Sequence, residues 1–182
     1  MIKEWSVTQT YSIYDQLYYG NRYIDLRVTY DASKSEFRTL HMLMGDPFQI
    51  LVNPFTSDSI CLLIPKTIKQ LNDIARFMNE SQGEIVVLQF GDFTGFTPLL
   101  HQVFLSNVTS LLGKYLYPRN QPFTTFAKMV ASGQRIVAFY DSSDAVANNN
   151  LFWLDNDLPN NWANVDNYNA MLPVEVASVQ VR

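Results

Sequence analysis

Glu84-Ile85-Val86-Val87-Leu88-Gln89-Phe90 is an almost unbroken apolar run. A strand with one wet face alternates polar and apolar residues. A continuous run of this length instead reads as a strand covered on both faces, as in a parallel sheet. Upstream, Pro65 can open a helix because the N–H it lacks has no partner in a first turn. Ile68, Leu71, Ile74, Ala75 and Met78 follow at three- and four-residue steps, predicting a one-sided helix that stops near Ser81-Gln82-Gly83. Downstream, Gly91-Asp92-Phe93-Thr94-Gly95 breaks the strand. A second helix is predicted from about Pro98 to Leu112, with Leu99, Leu100, Val103, Phe104, Val108 and Leu111 on its inner stripe. A short helix over Phe123 to Ala131 then leads to a second buried strand, Arg135-Ile136-Val137-Ala138-Phe139-Tyr140. Strands alternating with helices predict an α/β fold built on a parallel sheet or barrel.

The N-terminal third carries a different kind of strand. Tyr11 to Tyr19 has helical spacing, with Ile13, Leu17 and Tyr18 apolar and Gly20 as a stop. Arg22-Tyr23-Ile24-Asp25-Leu26-Arg27-Val28 alternates polar with apolar residues and so predicts a strand with two unlike faces. Asp25 and Arg27 share one face, about 7 Å apart along the strand. A polar turn, Asp31 to Glu36, leads to Phe37-Arg38-Thr39-Leu40-His41. If these strands are neighbours, a carboxylate, a guanidinium and an imidazole converge. An Asp-x-Arg pair alone reads first as a surface ion pair, and His41 alone as structural. Together at strand ends they read as a site, because a βα barrel keeps its chemistry at the carboxyl ends of its strands. Gln89 and Asp92 lie at the same end of their strand, and Glu84 at the other. His101, inside an amphipathic helix, reads as a packing residue. The stretch from Gly45 to Pro65 reads as irregular, and the Asn-rich stretch from Asn148 to Asn169 as loop with a short helix.

The whole-chain numbers exclude several classes. At 182 residues, 47% hydrophobic and 16% charged, the chain is long and apolar enough for one core. The net charge is −4 and the 13 basic residues are scattered, which argues against a nucleic-acid surface. Cys61 is the single cysteine, so no disulfide framework or thiolate metal site is expected. No apolar run is long enough for a transmembrane helix. There is no glycine-rich phosphate loop to support a nucleotide cofactor, and two histidines make no convincing metal site.

With these residues assembled, the chain resembles the X domain of phosphatidylinositol-specific phospholipase C, above all the small stand-alone X-domain proteins and the bacterial enzymes. The resemblance runs from about Trp5 to Leu172. It rests on Trp5-Ser6-Val7-Thr8-Gln9, Gly20 to Arg27, Leu40-His41, Gly83 to Phe90 and Arg135 to Asp141. It implies one domain over 1–182, a partial or distorted TIM-type (β/α) barrel, lacking its first strand and its C-terminal strands. It implies a phosphoric diester hydrolase that cleaves inositol phospholipid at a membrane surface to diacylglycerol and a cyclic inositol phosphate. His41 matches the general acid that protonates the leaving glycerol oxygen. Asp25 and Arg27 match the Asp-x-Arg pair of the metal-independent enzymes, so neither calcium nor any other cofactor is expected. Gln89 falls where many relatives have an acid and is a candidate substrate contact. The family's first catalytic histidine, the general base, lies upstream of the Trp5 segment and has no counterpart here. The alternative is therefore a non-catalytic module that binds inositol headgroups or a protein.

Overall fold

The computed structural model describes residues 11–41, 43–48, 69–122 and 124–157. The Trp5 segment, Cys61, the predicted helix start at Pro65, the end of the Asn-rich stretch and the tail lie outside them. In chain order the elements are α1 (Ile13–Tyr18), β1 (Tyr23–Asp31), β2 (Glu36–His41), β3 (Leu43–Phe48), α2 (Lys69–Glu80), β4 (Val86–Thr94), α3 (Pro98–Leu112), α4 (Phe126–Ser132), β5 (Ile136–Tyr140), α5 (Ser143–Val146) and β6 (Trp153–Leu154). The strands form one sheet in the order β3-β2-β1-β4-β5-β6.

From β1 onward the neighbours β4, β5 and β6 run parallel, with helices in the connections. This is the mixed α/β arrangement, with parallel strands joined through helices, that the alternating pattern predicts. β2 and β3 extend it by an antiparallel meander. The reason is chain length. A parallel return needs a crossover of about a dozen residues, and only Ala32 to Ser35 separate β1 from β2.

Helix boundaries follow local chemistry. Ser12 Oγ accepts from the Asp15 N–H at 3.1 Å and Thr97 Oγ1 from Leu100 N–H at 3.3 Å, each satisfying a donor that the first turn leaves without a partner. Pro98 follows Thr97 at the start of α3. α2 buries Leu71, Ile74, Phe77 and Met78. Its last carbonyls meet Arg135, whose buried guanidinium donates to Met78 O at 2.7 Å, to Glu84 O at 3.1 Å and to Ser81 O. One cation thus ties the end of α2 to the start of β5.

The main core fills the sheet face under the helices. It contains Leu26, Val28, Leu88, Phe90, Phe104 and Tyr140, all buried. Phe90 and Phe104 meet edge to face at 5.5 Å. A smaller cluster lies apart from it, formed by Val137, Phe139 and Trp153, which alternate with core-facing residues on β5 and β6, together with Tyr117 and with Met129 of α4.

Three sequence expectations need correction. Gly91 to Thr94 does not end β4, because an irregularity in the pairing with β1 absorbs the apparent breakers. Leu43–Phe48 is a strand where irregular chain was expected. Its Pro47 is tolerated because β3 is an edge of the sheet among the described residues. Trp153–Leu154 is a strand of two residues inside the expected loop, too short for any periodicity to announce.

Candidate active site

Period-two alternation divides β1 cleanly. Ile24, Leu26 and Val28 are buried, while Tyr23, Asp25 and Arg27 are exposed on the other face. Parallel pairing sets Asp25 beside Gln89 and Arg27 beside Gly91. Arg27 is held from two sides. Its Nε donates to Asp25 Oδ2 at 3.3 Å, and its Nη1 pairs with Asp92 Oδ2 at 3.3 Å. All three side chains remain about half open to solvent, at 49%, 42% and 52% exposure for Arg27, Asp25 and Asp92. A guanidinium so placed retains N–H groups for a visiting anion.

Gln89 bridges two other polar groups. The Tyr23 hydroxyl donates to its amide oxygen, and its amide nitrogen donates to Asp155 Oδ1. The Tyr23 hydroxyl is pushed up from its ordinary pKa by burial and by the Asp25 and Asp155 carboxylates. Beyond Gly91 lies Asp141, whose N–H continues the ladder to Phe90 O at 2.9 Å. A methyl group added at Gly91 would stand 3.7 Å from Asp141 Cβ, an ordinary packing distance, which places the Asp141 side chain beside Gly91. The Asp141 carboxyl is raised above the usual range by partial desolvation first, then by Asp155 and Asp92.

Asp25 and Arg27 are thus together, but in the middle of β1 rather than at its carboxyl end. His41 does end β2, yet β2 runs antiparallel to β1. The pairing of β2 with β1 ends at Val28 and Thr39, two residues before His41, and His41 itself pairs with Leu43 of β3, so the register does not bring His41 to the Asp-x-Arg pair. His101 belongs to the opposite side of the sheet. Its Nδ1 shares a 2.8 Å hydrogen bond with the Tyr140 hydroxyl, and its ring meets Phe93 at 4.9 Å and Phe96 at 4.8 Å. Burial lowers its pKa and raises that of Tyr140. It is the packing residue that the helix pattern predicts.

Asp141, Asp155 and Tyr23 were not among the sequence candidates. Tyr23 was readable, since it shares the β1 alternation with Asp25. Asp155 had no local signal. Among the described residues no three acidic, histidine or cysteine side chains converge as a metal site would require.

No protein-family model matches the sequence. Curated proteins do. "PI-PLC X domain-containing protein 1" of Homo sapiens is 24% identical over 153 residues, which is 84% of this chain and 42% of that protein. A "PI-PLC X-box domain-containing protein" of Dictyostelium discoideum is 28% identical over 143 residues, 78% of this chain and 16% of that protein. "PI-PLC X domain-containing protein 3" of Mus musculus is 24% identical over 188 residues, 100% of this chain and 51% of that protein.

The chain resembles PI-PLC X domain proteins. It spans about half or less of the length of these relatives. Among solved structures, a phosphatidylinositol-specific phospholipase C of Staphylococcus aureus aligns with a TM-score of 0.47 and 17% identity, over 74% of this chain and 40% of that one. The F249X mutant of the Staphylococcus aureus enzyme aligns with a TM-score of 0.48 and 15% identity.

Proposed function

We propose that the chain is a single X-type domain, spanning 1–182, that acts on the phosphodiester of an inositol phospholipid. The carrying observation is Arg27, held by Asp25 and Asp92 on the open face of the sheet. In this reading Arg27 stabilises the extra negative charge that gathers on the phosphoryl oxygens as the inositol hydroxyl attacks phosphorus. A guanidinium suits that task because its donors are fixed in a plane and it stays charged. Asp25 orients it. His41 gives the proton to the departing glycerol oxygen, work suited to an imidazole near neutrality. Gln89, engaged by Tyr23 and Asp155, contacts substrate only through the amide N–H that remains. Arg27 supplies a fixed cation where the calcium-dependent relatives have a carboxylate, so the reaction proceeds without metal. The domain works peripherally at the lipid surface. No helix among the described residues is long and apolar enough to cross a membrane.

The test is release of inositol phosphate from phosphatidylinositol vesicles, with and without chelator, by the wild-type chain and by Arg27→Ala. Chelator-resistant turnover that Arg27→Ala removes is the expected result. Absence of turnover, or loss of it on chelation, overturns the reading.

One observation favours a second reading, a headgroup-binding module without turnover. The chain holds two histidines, and His101 is hydrogen-bonded to Tyr140 within the aromatic core. His101 is therefore no proton carrier beside His41. Inositol 1-phosphate binding that weakens in Arg27→Ala, without hydrolysis of vesicles, is its signature. Turnover by the wild-type chain excludes it.

A further inference from the structure

Along β4, Val86, Leu88 and Phe90 are buried among the core residues, and Gln89 and Gly91 alternate with them. Strict alternation would carry Asp92 into the core and turn Phe93 out. The opposite is found. Arg27 pairs with Gly91 and Thr29 with Thr94, so β4 spends one more residue than β1 over this interval. At that bulge Asp92 adopts φ 57°, in the left-handed region that few residues other than glycine occupy. Its carboxylate thereby reaches the open face, 3.3 Å from Arg27 Nη1. Phe93 returns to the core, stacked at 4.4 Å on Tyr140 and 5.0 Å from Phe96.

Stability does not account for this arrangement. A half-exposed ion pair contributes little, and a left-handed aspartate is a conformational cost. Anion attraction does not account for it either, since a second carboxylate beside a cation weakens its pull on phosphate. Geometry does. Asp25 engages Nε and Asp92 engages Nη1, so two carboxylates on different nitrogens set the plane of one guanidinium and leave Nη2 to a ligand.

We propose that Asp92 is a positioning residue, delivered by the β4 bulge, that presets Arg27 for the developing phosphoryl charge. The proposal rests on the phosphodiester reading above and adds a residue to it.

Two substitutions are compatible with the backbone at this position. Asp92→Asn keeps the shape, and Asp92→Gly prefers the left-handed conformation. In the full chain, each is compared with wild type by thermal melting, by kcat and KM on phosphatidylinositol vesicles, and by the NMR order parameter of the Arg27 Nε–H. Asp92→Gly is expected to melt no lower than wild type. Both variants are expected to lose about tenfold or more in kcat with KM little changed, and the Arg27 Nε–H to become more mobile. A bystander carboxylate gives the opposite sign, with turnover unchanged or raised. That outcome, or an Arg27 side chain equally ordered in the variants, overturns the proposal. If wild type turns over no lipid, the phosphodiester reading falls by itself, and the Arg27 order parameter still decides whether Asp92 holds the guanidinium.

Discussion

In the proposed reaction Arg27 carries the site because it is always charged and its two carboxylate partners fix its plane. Lysine in its place keeps the charge but has no fork with which to meet Asp25, Asp92 and a phosphate oxygen together. Arg27→Lys is therefore expected to recover little of the activity that Arg27→Ala loses, with both down about a hundredfold or more in kcat. Recovery by lysine to near wild type would mean that charge alone matters. The Asp25 and Arg27 pair was legible because period-two alternation is a local property of seven residues. The Asp155 contact was not, because Gln89 and Asp155 are 66 residues apart and only the fold joins them.

Asp141 offers a pH signature. Its carboxyl is raised by partial desolvation and by Asp155 and Asp92, so its ionisation is harder in the fold than in the unfolded chain. The relative advantage to the fold is present below the unfolded value of about 3.9 and is lost as pH rises through the folded value. Asp141→Asn is accordingly expected to raise the melting temperature at about pH 7 and to leave it unchanged at about pH 3. An equal shift at both, or a drop at neutral pH, contradicts that assignment.

At the scale of elements, helices were more readable than strands. α3 runs from Pro98 to Leu112 as predicted, because Thr97, Pro98 and the apolar spacing are all local signals, although Leu99 of the predicted stripe is exposed and Leu105 and Leu112 are buried outside it. The strands were misjudged where their partners decide the outcome. Gly91-Asp92 reads as a breaker by composition, yet pairing with β1 carries β4 through it to Thr94. Gly95 then closes the turn into α3, with φ +79° and room for a Cβ only 3.0 Å from Tyr30 O. Gly133, φ +77°, has nothing within 4 Å and is the natural control. Gly133→Ala should lose only the conformational preference, about 1 kcal/mol in urea unfolding. Gly95→Ala should lose more, roughly 2–3 kcal/mol, because backbone must also move. Equal losses would show that the close approach to Tyr30 is easily relieved.

At the scale of the whole molecule, the proposed function makes charge the selector among headgroups. The net charge of −4 was available from composition. What the fold adds is its distribution, with Asp25 and Asp92 paired to the guanidinium of Arg27, and Asp141 close enough to Asp92 and Asp155 for both to perturb it. One phosphodiester can meet Arg27. A further phosphate on the inositol ring would find carboxylates instead, each worth about 1 kcal/mol of repulsion at about 4 Å even in bulk water. Phosphatidylinositol should therefore be turned over, or its headgroup bound, at least about tenfold better than the bisphosphorylated lipid, since about 1.4 kcal/mol corresponds to that factor. The repulsion acts between groups open to solvent, so the preference should narrow as salt shortens the screening length below about 10 Å. Competition between the two lipids in mixed vesicles, at low and high salt, separates this from a steric origin. A preference that is indifferent to salt would place the selectivity in the shape of the site, and a preference for the bisphosphorylated lipid would mean that cations other than Arg27 dominate the field at the headgroup.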